Sequence, residues 1–161
     1  MNGHGTVKLT AGARLGLAVV VAGLIPRAAN AQIGANSDIL NPNLASVDQL
    51  LALPLMNEAV VEAIRTGRPW LDMGALDAAL AEHLGASQRS ELYAKLFLPL
   101  NLNEARSEEI MLIPGVGKRM THEFEEYRPY VSLDQFRREI GKYVDDDEVA
   151  RLERYVTLEG G

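Results

Sequence analysis

Leu112-Ile113-Pro114-Gly115-Val116-Gly117-Lys118-Arg119 is the stretch that decides the fold. Pro114 lacks the amide donor and disfavours helix in the residue before it, so a helix must stop here. Gly115-Val116-Gly117 then permits positive φ and leaves the first amides of the next segment uncovered by side chains. Two short helices joined by a tight hairpin are expected, and the second would present free N–H groups and a positive dipole end suited to a phosphate. Lys118 and Arg119 follow at once, placed to neutralise it. Gly115, Val116, Gly117, Lys118 and Arg119 are therefore the candidate anion-binding residues. A Gly-x-Gly alone need do no more than turn the chain.

Outward from the hairpin, the sequence matches itself at an offset of 60. Asn41, Asn43, Ala45 and Pro54 return as Asn101, Asn103, Ala105 and Pro114. Arg68-Pro69-Trp70-Leu71 returns as Arg128-Pro129-Tyr130-Val131, and Leu50, Leu53, Leu76, Leu84, Leu92 and Leu98 as Ile110, Ile113, Phe136, Val144, Leu152 and Leu158. The chain reads as two copies of one unit, 41–98 and 101–158.

Each copy reads as helices separated by breakers. Ser46 with Gln49, Ser132 with Gln135, and Asp145 with Glu148 have capping-box spacing and mark three helix starts. Apolar residues recur at helical spacing, as in Met120, Phe124 and Tyr127, and no stretch alternates for long like a strand. The expected class is all-α, with about four short helices per copy packed into one small compact domain. Trp70 and Tyr130, at the same repeat position just before a helix, are expected to plug the core.

The beginning of the chain has a different character. Lys8 and Arg14 precede an apolar run, Leu15 to Ile25, and Pro26 breaks it before Ala29-Asn30-Ala31. This is the layout of a cleavable signal peptide over 1–31, with cleavage after Ala31 and a flexible leader over 32–40. The apolar run would reach roughly 16 Å as a helix, about half a hydrocarbon core, which disfavours a membrane anchor. An exported, periplasmic protein is expected. Loss of Lys8, Arg14 and Arg27 from 16 basic residues leaves 13 against 22 acids, a net charge of −9. Such a chain repels polyanions at long range unless its cations are gathered in one place.

The 161 residues contain no cysteine and three histidines, which excludes disulfides, thiol catalysis and cysteine-based zinc sites. His83 and His122 have no acid–histidine–nucleophile spacing around them, and the six serines read as caps or turn residues. Asp145-Asp146-Asp147-Glu148 lacks the central glycine and alternating ligands of a calcium loop and reads as a helix start. No enzyme and no cofactor is expected.

The hairpin, together with Asn101-Leu102-Asn103-Glu104-Ala105, Tyr127-Arg128-Pro129-Tyr130 and Ser132-Leu133-Asp134-Gln135-Phe136, resembles the helix-hairpin-helix family. It is similar to the ComEA group of exported DNA receptors used in competence and to PsbU-type extrinsic photosystem proteins, which bind protein. The resemblance implies tandem helix-hairpin-helix repeats. By position it implies phosphate contacts from the amides of Gly115, Gly117 and Lys118, with the Lys118 and Arg119 side chains assisting. It also implies a possible monovalent cation at the carbonyls of Met111, Ile113 and Val116. The first copy departs from the pattern: Leu55-Met56-Asn57 replaces Gly-x-Gly, Glu58 stands where Lys118 does, and a leucine resists positive φ. That degenerate hairpin is expected to have lost both shape and charge.

Two functions stay open. One is weak, sequence-independent binding of double-stranded DNA through its backbone, with Glu123, Glu125 and Glu126 expected on the far face of their helix. The other is an exported or membrane protein partner, favoured by the acidity and by the degenerate first hairpin. No small-molecule substrate is expected in either.

Overall fold

The computed structural model describes Met1 and residues 38–158. The expected signal peptide and cleavage point, and the leader up to residue 37, lie outside the described residues. Eight helices follow one another: α1 (Val47–Leu51), α2 (Glu58–Thr66), α3 (Met73–Leu80), α4 (Ala86–Tyr93), α5 (Ser107–Ile110), α6 (Lys118–Glu126), α7 (Leu133–Ile140) and α8 (Asp146–Glu153). The class is helical, as expected.

Two strand fragments complete it. β1 (Leu100–Asn101) pairs in parallel with β2 (Val156–Thr157), Leu100 opposite Val156. Leu40 bridges Leu96 in the same sense, sixty residues earlier in both partners. Two-residue strands have no alternation to read, which is why spacing along the chain does not reveal them. Leu40, expected in the flexible leader 32–40, is thereby part of the fold. Its amide donates to the Lys95 carbonyl at 2.9 Å and its carbonyl accepts from Phe97 N at 3.0 Å, while Ile39 packs beside it on the core.

Local chemistry explains where the helices start. Ser46 caps α1 with a complete box, its hydroxyl accepting from Gln49 N and Gln49 Oε1 accepting from Ser46 N. At α7 and α8 only half of each expected box forms. Ser132 and Asp145 accept from the amides of Gln135 and Glu148, but the Gln135 side chain turns to Val131 and Tyr127, and Glu148 turns to Arg151. Glu148 gains a charged partner in Arg151, and Gln135 accepts from the Val131 amide instead, so neither makes the reciprocal bond.

The repeated motif is a clamp. Asn43 accepts from Trp70 N at 2.7 Å and donates Nδ2 to the Trp70 carbonyl at 2.9 Å, and Asn103 does the same to Tyr130 at the same distances. Arg68 donates Nε to Pro42 O and Nη2 to Ala45 O, each at 2.7 Å. Arg128 donates to Leu102 O and Ala105 O at 2.6 and 2.7 Å. Both clamps tie the loop before a helix pair to the segment after it, and the Arg68-Pro69 and Arg128-Pro129 peptides are cis.

One continuous core runs through both halves, with Leu50, Leu76, Leu92, Phe136 and Leu152 wholly buried. Trp70 and Tyr130 are buried plugs as expected, Trp70 Nε1 donating to the Ile64 carbonyl at 2.9 Å. Ile113 is buried, whereas its counterpart Leu53 is only partly covered. The halves meet where α3 packs on α5 and where Phe97 and Tyr155 stack edge to face with centroids 5.0 Å apart.

Candidate functional site

The second hairpin joins α5 to α6. Gly115 takes φ +82°, the left-handed conformation expected for it, while Gly117 does not: at φ −111°, ψ 179° it is extended and serves as the N-cap of α6. Having no side chain, it caps nothing. The amides of Gly115, Gly117 and Lys118 donate to no acceptor among the described residues. Val116 is different from the expectation: its amide donates to the Ile113 carbonyl at 3.0 Å and is spent inside the turn. That bond also occupies one lone pair of a carbonyl expected to face a cation, beside Met111 and Val116.

The first hairpin shows what the second lacks. Leu55 adopts φ +66° at the place of Gly115, so the expected loss of shape does not occur. Leu55 packs against the core, which compensates the cost of a left-handed side chain. What differs is the cap. Asn57, at the place of Gly117, accepts from Val60 N at 3.0 Å and closes the start of α2, and Glu58 follows where Lys118 stands. One backbone thus serves two chemistries, one helix start closed and acidic, the other open and basic.

Lys118 and Arg119 are exposed and form no ion pair among the described residues. Apart from Lys95, every other described lysine or arginine is held by a carboxylate or by backbone carbonyls. Two adjacent uncommitted cations at an uncapped helix start gather positive potential at one place. Arg151, on α8, was not foreseen. Its Nη2 lies 3.5 Å from where a Cβ on Gly115 would be, but Glu148 holds its guanidinium at 2.6 and 2.7 Å and raises its pKa above the usual arginine value. Only the fold brings it near, since 36 residues separate it from Gly115.

Two of the three α6 acids, Glu123 and Glu125, border the hairpin rather than the far face. Glu123 is buried and lines a cleft with Gly117, Arg119, Met120, Tyr143 and Val144. Glu125 lines another, with Ser107, Met111, Lys118, Thr121 and His122, and accepts from the Ser107 hydroxyl at 2.5 Å. Only Glu126 pairs with the exposed His122, at 3.7 Å. Carboxylates therefore flank the hairpin on both sides and weaken its field. Asp145 to Glu148 form the acidic first turn of α8, as expected. Among the described residues no group of three or more potential metal ligands occurs, and no helix is long and apolar enough to cross a membrane.

No protein-family model, curated protein or solved structure matches the chain.

Proposed function

We propose that the chain is an exported, non-enzymatic binding protein of two helix-hairpin-helix repeats, in which the hairpin at 112–119 grips the backbone of double-stranded DNA without reading its sequence. The observation that carries this reading is the contrast between the two hairpins. They share a left-handed turn, yet only the second leaves its helix start uncapped and follows it with two unpaired cations. Amides and cations of this kind position a phosphate and carry no base information.

The contact is small. Lys118 and Arg119 would neutralise two or three phosphates, so the logarithm of affinity falls with the logarithm of salt at a slope of about −2 to −3. The test is fluorescence anisotropy of a labelled random-sequence duplex at low and physiological salt, with Lys118→Glu/Arg119→Glu as the comparison and circular dichroism to show that it folds. Salt-sensitive binding lost in the folded variant supports the reading. Absence of binding at low salt overturns it in favour of a protein partner, a role that the exposed Leu44, Leu71 and Val131, each more than 80% accessible, would serve.

A further inference from the structure

Around the second hairpin the offset of 60 turns acids into bases. Glu58 and Glu91 of the first half stand where Lys118 and Arg151 stand in the second, and Ala59 stands where Arg119 does. Lys118 and Arg119 open α6, but Arg151 belongs to α8, and only the fold sets it beside them. Its Nη2 lies 3.5 Å from the point that a Cβ on Gly115 would occupy. Gly115 carries no side chain there, so the guanidinium approaches the turn itself.

Arg151 is held in place on two sides. Its Nε and Nη2 donate to Glu148 at 2.6 and 2.7 Å, and its guanidinium carbon lies 5.9 Å from the centre of the Tyr155 ring. Glu148 gives up a cap to do this: its counterpart Gln88 accepts from the amide of the N-cap residue Gly85 at 2.9 Å, a bond Glu148 does not make to Asp145. Arg137 spends Nε, Nη1 and Nη2 on Glu153 and Asp134, whereas Arg151 gives Glu148 only Nε and Nη2. A guanidinium has more N–H donors than one carboxylate takes, and Nη2, the nitrogen beside Gly115, keeps a hydrogen beyond the one given to Glu148. As a pair the two residues are neutral and add nothing to attraction at long range. What they bring is a donor of fixed orientation beside a glycine whose amide is open.

We infer that Arg151 is a further phosphate contact of this hairpin, presented from α8 by Glu148 as its positioning residue. The inference rests on the DNA reading and extends it beyond the α5–α6 turn. A duplex backbone is then gripped from two helices instead of one, which fixes its direction across the hairpin as well as its place.

The test is anisotropy of the labelled duplex with the full chain and with Arg151→Gln, Glu148→Gln and Arg151→Lys, each checked by circular dichroism. Removing the cation weakens binding about fivefold at low salt and makes the log–log salt slope shallower by about one. Removing the carboxylate strengthens binding about twofold. Lysine keeps the charge but loses the fork, and binds about threefold more weakly than the wild type. A pair that only braces α8 weakens binding in both glutamine variants or in neither, and an effect of charge alone leaves Arg151→Lys equal to the wild type. Either result overturns the inference while wild-type binding keeps the DNA reading. Where Arg151→Gln does not fold, Glu148→Gln and Arg151→Lys decide. A wild type that does not bind at low salt overturns both.

Discussion

Leu55 and Gly115 occupy one backbone position in the two hairpins, at φ +66° and +82°. A leucine there sacrifices about 1–2 kcal/mol of conformational energy and keeps a partly buried side chain in exchange. Leu55→Ala loses the packing and retains the strain, whereas Leu55→Gly loses the packing and relieves it. Glycine at 55 is therefore expected to be more stable than alanine by about 1 kcal/mol, the reverse of the order at ordinary positions. Urea unfolding followed by far-ultraviolet circular dichroism decides it, and an alanine variant as stable as the glycine one refutes the strain.

Gly117→Asn copies the first hairpin into the second. A Cβ on Gly117 meets nothing within 4 Å, and the extended backbone suits an asparagine cap such as Asn57. The cap changes stability by a few tenths of a kcal/mol in the favourable direction. It also engages the Met120 amide, the counterpart of Val60 N, and sets a side chain beside the open amides of Gly117 and Lys118, so duplex binding weakens while the melting temperature holds or rises. Thermal unfolding and anisotropy on the same preparation separate these two effects.

Arg128→Lys leaves the charge and removes the fork that spans the Leu102 and Ala105 carbonyls. A lysine reaches one of them at most with good geometry. A loss of about 1.5–3 kcal/mol is expected from one charge-assisted bond to a partly buried carbonyl. Arg68→Lys is expected to lose a similar amount through Pro42 and Ala45. Denaturant midpoints at constant m-value give the answer, and a neutral result at both sites removes the clamps from the list of stabilising features.

Alkali should unfold the protein through its tyrosines. Burial, before any other cause, raises the pKa of Tyr93, Tyr130 and Tyr155, and for Tyr93 the bond to Asp77 at 2.6 Å adds to it. A phenol whose folded pKa is raised contributes stability that is fully present below the unfolded value of about 10 and is lost as pH climbs from there towards the folded value. At the acid end, Arg151 lowers the Glu148 pKa. That contribution is present above the unfolded value of about 4.3 and lost as pH falls through the folded one. Tyrosinate absorbance should rise together with the loss of helical signal above about pH 10. Ionisation of all five tyrosines in a chain that keeps its circular dichroism would contradict the burial of Tyr93, Tyr130 and Tyr155.

The sequence made the helical class and the sixty-residue register legible because both rest on local signals, caps and breakers that act over three or four residues. Asn43 and Asn103 stood out as a pattern, but their purpose depends on backbone 27 residues away and emerged only from the fold. Leu55 was misjudged because propensity forbids what packing can stabilise. Arg151 and Glu123 were missed or misplaced for one reason: neither the neighbour that holds Arg151 beside Gly115 nor the burial of one α6 acid follows from spacing along the chain.

The parallel pairing of each half's opening and closing residues, Leu40 with Leu96 and Leu100 with Val156, has a topological result. The polypeptide enters and leaves a unit side by side, about 4.8 Å apart, and with the same heading. Such a unit is a single turn of a coil rather than a closed knot of contacts. Further turns could be appended beyond residue 158, or one removed, without re-threading what remains, which makes duplication of the whole turn the simplest route by which a chain of this design grows.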